Sequence, residues 1–148
     1  MPQPDLVGPV ESSVGYVLKQ VTVALRAAMD EVLRPLQLTV PQYSCLEVLG
    51  QRPGISNAEL ARATFVTRQS MNVVLQGLEA RGLVTRPATA ARGRELPAEL
   101  TAAGRAQLRS ASAAVRAVEK KMCAGLDPAR QQALLESLTE CVRSLGQP

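Results

Sequence analysis

Apolar residues recur at intervals of three and four positions through most of the 148-residue chain, which predicts a mainly helical protein. Near both ends of the chain these intervals alternate as a heptad repeat, the pattern of helices that pack along a narrow seam. The seam positions are Val14, Leu18, Val21, Leu25, Ala28 and Val32 in a first helix, Leu108, Ala111, Val115, Val118 and Met122 in a second, and Leu134, Leu138, Cys141 and Leu145 in a third. Residues 10–36 and 101–148 are therefore predicted to be dimerisation helices that pack together across a two-fold axis. The alternative is a monomer whose end helices cover one another.

Local signals set the expected limits of these helices. The first should begin at Val10 or Glu11 and end near Arg34, because a proline disfavours helical geometry in the residue before it. Thr101 and Asp127 are suitable amino-terminal caps for the other two. Residues 1–9 contain proline and glycine and are expected to form a flexible arm.

Two shorter helices are predicted to follow the first. Thr39 can cap a helix that runs to about Leu49. Ser56 stands three residues before Glu59, the spacing of a capping box, and so starts a helix over residues 57–63.

A turn and another helix come next. The turn carries Phe65 and Val66, an apolar pair expected to pack on the core, and Thr67 can cap the helix after it. Gly82 fits the left-handed position that ends a helix after Arg81. The apolar positions of this helix form one face: Met71, Val74, Leu75 and Leu78.

The segment after Gly82 predicts a small hairpin. Residues 83–86 and 94–100 are strand-like, and the small residues of 87–93 form the loop between them. Pro97 cannot donate to a ladder, but a two-stranded hairpin consists mostly of edges, where proline is tolerated. The predicted fold is mainly α with a small β-wing: a winged helix-turn-helix lobe over residues 37–100, flanked by the dimerisation helices.

The polar residues of this lobe indicate a DNA-binding surface. Arginine can bond guanine edges, asparagine and glutamine can bond adenine, and an arginine-tipped hairpin suits the minor groove. The predicted contacts are Thr67, Arg68, Gln69, Ser70, Asn72 and Gln76 on the helix, and Arg86, Arg92 and Arg94 on the wing. The alternative is an ordinary solvated helix beside a solvated hairpin.

The charge distribution favours a DNA partner. The net charge is +4, but the segment from Arg52 to Arg109 holds nine Arg and four Glu, an excess of +5 that leaves −1 for the rest of the chain. Phosphate neutralisation requires positive charge on the DNA-reading segment. A membrane is not expected to be the partner, because the sequence lacks both an apolar run of about eighteen residues and a Lys-rich amphipathic helix.

Catalytic, metal and cofactor sites are not expected. The chain has no His, which excludes Ser–His and Cys–His catalysis, and it has neither a phosphate-binding glycine loop nor a CxxC pair. Its amino terminus lacks the charged segment and apolar run of a signal peptide, so a cytoplasmic location is expected. The three cysteines, Cys45, Cys123 and Cys141, have no pair spacing and are expected to be reduced.

The sequence resembles the multiple antibiotic resistance regulator (MarR) family of winged-helix transcription factors over most of residues 14–145. The resemblance rests on Leu38–Tyr43, Leu60–Ala61, Val66–Gln69, Leu78–Val84, Arg94 and Leu100–Gly104. The wing of the family usually reads Asp-x-Arg, whereas this chain has Arg92-Gly93-Arg94. Loss of the Asp removes an ion pair that restrains the arginine, and it leaves the wing more basic.

The resemblance implies a homodimeric regulator, most often a repressor, that binds a pseudo-palindromic operator in double-stranded DNA. Many family members also bind a small phenolic or lipophilic effector where the dimerisation helices meet the DNA-binding lobe. Projected onto this sequence, that site nominates Tyr16, Gln20, Arg26 and Tyr43. Tyr43 could instead belong to the core, and Arg26 to the solvated surface.

Two other functions stay open at this point. Some relatives sense peroxide through a cysteine near the start of the first helix, but this chain has none there, and buried structural thiols are the preferred interpretation of Cys45 and Cys141. The basic lobe could also dock on an acidic protein rather than on DNA.

Overall fold

The computed structural model describes residues 8–86 and 97–146, which form six α-helices and one two-stranded antiparallel sheet. This arrangement confirms the predicted class, mainly α with a small β-element. The helices are α1 (Val14–Leu33), α2 (Val40–Gln51), α3 (Asn57–Ala63), α4 (Arg68–Ala80), α5 (Ala102–Met122) and α6 (Pro128–Ser144), and the strands are β1 (Val84–Thr85) and β2 (Glu99–Leu100).

The first helix is shorter at its amino end than the sequence pattern predicts. Residues Val10–Ser12 form a separate 3-10 turn, and Ser13 is extended, with φ −82° and ψ 126°, so α1 starts at Val14. At its other end a second 3-10 turn, Arg34–Leu36, continues from α1 and holds the proline. Gln37 then takes a left-handed conformation, φ 57°, and turns the chain toward α2.

Capping side chains define the starts of the shorter helices. Thr39 Oγ1 accepts a hydrogen bond from the Gln42 N–H at 3.2 Å, and Gln42 Oε1 accepts from the Thr39 N–H at 3.0 Å, which is a reciprocal capping box for α2. Ser56 Oγ accepts from the Glu59 N–H at 3.2 Å and starts α3 at the predicted residue. These local bonds fix the residues at which the two helices begin.

The hydrophobic core lies between α2, α3 and α4, where it is closed by the end of α1 and the middle of α5. Its largest fully buried side chains are Leu33, Cys45, Leu46, Leu60, Met71, Leu75 and Leu78. Each buried Leu contributes roughly 1.5–3 kcal/mol relative to its exposed state. The apolar face predicted for the fourth helix is confirmed, with Val74 half-buried at its edge.

The sheet is smaller than predicted. β1 and β2 pair Val84 with Leu100 and Thr85 with Glu99, so the ladder spans two residues on each strand. Pro97 precedes the ladder, and the prediction of a strand through this residue was wrong, because proline has no N–H to donate. The predicted loop and the first residues of the returning strand, 87–96, lie outside the described residues.

A close approach between α5 and the residues just before β1 sets the position of the sheet. Thr101 caps α5 by accepting from the Gly104 N–H at 3.0 Å, and its hydroxyl donates to the Gly82 carbonyl at 2.6 Å. A Cβ on Gly104 would lie 1.9 Å from the Leu83 carbonyl oxygen. Only a residue without a side chain allows the helix to lie this close to the strand.

The seams of the end helices are covered only in part. α1 packs against α5, and the seam residues nearest the lobe, such as Val32 and Ala111, are half or fully buried. Farther from the lobe the seams are exposed: Val14, Leu18 and Val21 on α1, Met122 on α5, Leu134 and Cys141 on α6, and Leu145 directly after α6. Among the helices of residues 8–86 and 97–146, none combines the length and apolar character needed to cross a membrane.

Candidate nucleic-acid interface

The turn between α3 and α4 is fixed on both sides by hydrogen bonds to α3. Thr64 Oγ1 donates to the Leu60 carbonyl at 2.8 Å, and the Val66 N–H donates to the Ala61 carbonyl at 3.0 Å. Val66 packs against the core, but Phe65 takes φ 61° and is 94% exposed. The prediction that Phe65 packs on the core was therefore wrong, because the bonded turn directs its side chain outward.

Thr67 caps α4, as its position predicts. Its Oγ1 accepts from the Ser70 N–H at 3.0 Å and donates to the Ser70 Oγ at 3.0 Å. The Thr67 hydroxyl is thereby used within the protein, whereas the Ser70 hydroxyl keeps a hydrogen that can be donated to a phosphate or a base.

The outward face of α4 lies opposite its buried residues. Gln69, Val73 and Gln76 follow one another at spacings of four and three, so they form a single stripe along the helix, and all three are exposed. Arg68 and Asn72 are exposed beside this stripe. Val73, 64% exposed, was missed by the search for polar contacts, although its spacing from Gln69 places it on the same face.

Arg86, directly after β1, is bonded to two side chains of α4. Its Nε lies 3.2 Å from Glu79 Oε2, and its Nη1 donates to Asn72 Oδ1 at 3.3 Å. The Arg86 side chain is 23% exposed, against 44% for that of Glu79. Arg86 therefore supports a predicted DNA contact, Asn72, in addition to lying next to the predicted interface.

The other two predicted wing contacts, Arg92 and Arg94, lie outside the described residues and stay predictions.

A second set of bonds connects the end of α4 to α5 and to the chain that follows α1. Arg81, the residue that ends α4, donates from Nη1 to the Gln37 carbonyl at 2.6 Å and from Nη2 to the Leu36 carbonyl at 3.3 Å. Gln107 of α5 donates from Nε2 to the same Leu36 carbonyl at 2.7 Å. The chain just after α1 is thus bonded to both α4 and α5.

The four predicted effector residues do not come together around one cavity of the single chain. Tyr16 and Gln20 are exposed on α1, and Arg26 is exposed with its Nε 3.7 Å from Asp30 Oδ1. Tyr43 is buried in the core, where burial raises the pKa of its hydroxyl and the Glu47 carboxylate raises it further.

An open, mainly apolar cavity lies between α1 and α5, on the partly covered seam. Its volume is about 530 Å³. Its walls are mainly aliphatic: Val21, Leu25, Ala28, Val32, Val118 and Met122. None of the four predicted effector residues lines it.

The cysteines differ in accessibility. Cys45 is fully buried, and burial raises the pKa of its thiol to about 12, so it is a poor nucleophile at neutral pH. Cys123 is half-buried, and Cys141 is exposed. The expectation of a buried structural thiol is thus met by Cys45 but not by Cys141 in the single chain.

Known proteins are similar to this chain in sequence and in fold. A sequence model described as MarR family matches residues 36–95. The HTH-type transcriptional repressor Rv2887 of Mycobacterium tuberculosis is 47% identical over 122 residues, which are 82% of this chain and 88% of that protein.

Two crystal structures of Rv2887 superpose on the chain. Its complex with DNA has a TM-score of 0.72 at 40% identity and covers 88% of this chain and 98% of that one. Its complex with salicylic acid has a TM-score of 0.73 at 43% identity and covers 92% and 99%.

Proposed function

Because the chain belongs to the MarR family, we propose that it is a homodimeric, sequence-specific transcriptional repressor that a small effector molecule releases from DNA. The observation that carries this proposal is the outward face of α4, which presents exposed donor-rich side chains on a helix whose opposite face is buried. A helix of this kind in a helix-turn-helix lies in the major groove and contacts base edges.

The roles of the contact residues follow from their chemistry. Arg68, Gln69 and Gln76 read bases. Thr67 and Ser70 hold the start of α4 and contact the DNA backbone. Asn72 contributes a donor that is oriented by Arg86. The wing arginines Arg92 and Arg94 bind the flanking minor groove, where the negative potential is strongest.

Homodimerisation is supported by the apolar residues left exposed at the far ends of the helices. In the proposed dimer, residues 10–36 and 101–148 are the dimerisation helices, and residues 37–100 are the DNA-binding lobe. Covering one exposed Leu contributes roughly 1.5–3 kcal/mol, so the seven exposed seam positions, which include Leu18, Leu134 and Leu145, can offset the cost of association. Two α4 helices related by a two-fold axis read two halves of a pseudo-palindrome.

The proposed effector is a small phenolic or lipophilic molecule, a class that includes the salicylic acid bound by Rv2887. It can release DNA only if it binds one arrangement of the two lobes better than the other. The Leu36 carbonyl offers a physical connection between α5 and α4, because Gln107 of α5 and Arg81 at the end of α4 both donate to it. A shift of α5 relative to α1 would therefore change the position of α4.

We propose that the protein acts in the cytoplasm, where the DNA of a regulated promoter is found, and that it catalyses no reaction. We propose no redox role for Cys45, because its raised thiol pKa disfavours the reactive thiolate. DNA binding should be insensitive to oxidant both in the wild type and in a variant in which Cys45, Cys123 and Cys141 are replaced by Ser. Release from DNA by oxidant in the wild type alone would favour a thiol-responsive regulator.

The decisive experiment is selection of duplexes from a random pool by the purified full-length protein. We expect a two-fold symmetric motif, bound by a dimer, with an affinity that falls steeply as salt rises. Absence of binding to any duplex in dilute buffer would contradict the proposal and favour a protein–protein interaction module.

A further inference from the structure

Two large apolar side chains of the DNA-binding lobe are exposed in its described residues, 37–86 and 97–100. They are Phe65, 94% exposed, and Val73, 64% exposed. The other exposed large apolar residues of the described chain lie on the 3-10 turn before α1, on α1, α5 and α6, and directly after α6, where a second copy of the chain can cover them. Phe65 instead lies in the turn between α3 and α4, and Val73 lies on α4.

Phe65 is exposed in a conformation that L-amino acids rarely adopt. Its φ of 61° lies in the left-handed region, where a bulky side chain is strained and glycine is favoured. Its neighbours Thr64 and Val66 are both bonded to α3, so the turn cannot relax without breaking those bonds. A strained, solvated aromatic ring in a rigid turn is a reason to expect a function for the ring.

Val73 has an equally specific position. It lies four residues after Gln69 and three before Gln76, in the middle of the outward stripe of α4. A base pair that lies between the contacts of Gln69 and Gln76 would therefore face Val73. An apolar side chain here cannot form a hydrogen bond with a base, but it can pack against an apolar group.

We propose that Phe65 and Val73 read thymine, by packing against its 5-methyl group in the major groove. This inference rests on the proposed function, and it adds an apolar component to the polar contacts. The methyl group is the apolar feature of the major groove, and it distinguishes thymine from the other bases. Phe65 stands two residues before Thr67, at the end of α4 that enters the groove, and Val73 stands one helical turn inside it.

Deoxyuridine provides a direct probe, because it pairs like thymine but lacks the methyl group. In a duplex selected from the random pool, each thymine is replaced in turn by deoxyuridine, and the affinity of the wild-type protein is measured. We expect a loss of about fourfold at two positions in each half-site, equivalent to about 0.8 kcal/mol per buried CH₂. Replacements in the flanking DNA should have no effect.

Variants assign each methyl group to its side chain. Phe65→Gly should abolish the loss at one position, and Val73→Thr, which keeps the shape but replaces a methyl by a hydroxyl, should reduce it at the other. Phe65→Leu keeps an apolar group and should retain part of the discrimination.

Stability separates this role from a structural one. Phe65→Gly relieves the backbone strain, so its Tm should be equal to that of the wild type or higher by up to about 4 °C while its affinity for DNA falls. If a duplex is selected but deoxyuridine has no effect, or Phe65→Gly binds as tightly as the wild type, the inference is overturned. Selection of no duplex at all would instead contradict the proposed function.

Discussion

Arg86 Nη1 donates a hydrogen bond to the Asn72 side-chain oxygen at 3.3 Å. Because Arg86 already uses one lone pair of Oδ1, the NH₂ group is the more available part of the Asn72 amide for a contact with DNA. Bidentate recognition of adenine needs both a donor and an acceptor from one amide, so Asn72 is better suited to an acceptor on guanine, thymine or a phosphate. We therefore expect Asn72 to act toward DNA mainly as a donor, rather than to pair with adenine through both ends of its amide.

The first prediction concerns this pair. Arg86→Lys keeps the positive charge but loses the planar fork that reaches Glu79 and Asn72 together. We expect weaker selectivity at one base pair with an unchanged dependence of affinity on salt. In a double-mutant cycle with Asn72→Ala, the two changes should be non-additive by about 0.5–3 kcal/mol. Strictly additive effects would show that Arg86 does not position Asn72.

The second prediction concerns Gln69, which is exposed in the first turn of α4. Gln69→Ala should relax the preference at a single base pair by about 1–3 kcal/mol, because one bidentate contact is removed. The measurement is the affinity for a panel of selected duplexes that differ at one position. Unchanged selectivity across the panel would mean that Gln69 does not touch a base.

Much of the fold could be predicted because its determinants are local in sequence. The caps Thr39, Ser56 and Thr67 act on N–H groups three residues away, and spacing alone reveals such bonds. Long-range contacts left no comparable signal. The bond between Arg86 and Asn72 spans fourteen residues, and the bond between Gln107 and Leu36 spans seventy-one.

Phe65 illustrates a different limit. An apolar residue in a turn is assigned to the core by default, and only the folded chain shows that this side chain is exposed. The φ of Phe65 was equally hidden, since a phenylalanine is among the residues least expected in the left-handed region.

The third prediction concerns the wing, whose tip lies outside the described residues. Arg94→Ala should weaken binding to all duplexes alike and reduce the slope of log affinity against log salt by about 1, because one phosphate contact is lost. Titrations at several salt concentrations would measure this slope. An effect confined to one base pair would contradict a backbone or minor-groove role.

The fourth prediction concerns the contact between Gly104 and Leu83. In Gly104→Ala the new Cβ would lie 1.9 Å from the Leu83 carbonyl oxygen, so α5 and β1 must separate. We expect the free energy of unfolding to fall by about 1–3 kcal/mol, the usual cost of overpacking, as measured by chemical denaturation.

Gly77→Ala is the matched control, because its Cβ would meet only Gln42 Nε2 at an ordinary 3.5 Å. An alanine in the interior of α4 should stabilise the protein by up to about 1 kcal/mol. Equal effects of the two substitutions would show that α5 is not held against the strand in this way.

The fifth prediction follows from the burial of Cys45. Burial raises the pKa of its thiol from 9.0 to about 12, so the folded protein keeps the proton over a pH range in which the unfolded chain has lost it. This stabilising effect is complete below pH 9.0 and is lost as the pH rises toward 12. The free energy of unfolding should fall by up to about 1.4 kcal/mol per pH unit in that window.

Cys45→Ala should show a shallower decline of this free energy with pH than the wild type. The decline that is left is due to groups such as Tyr43, whose pKa is also raised by burial. Parallel curves for the two proteins would mean that the Cys45 thiol ionises equally in the folded and unfolded states.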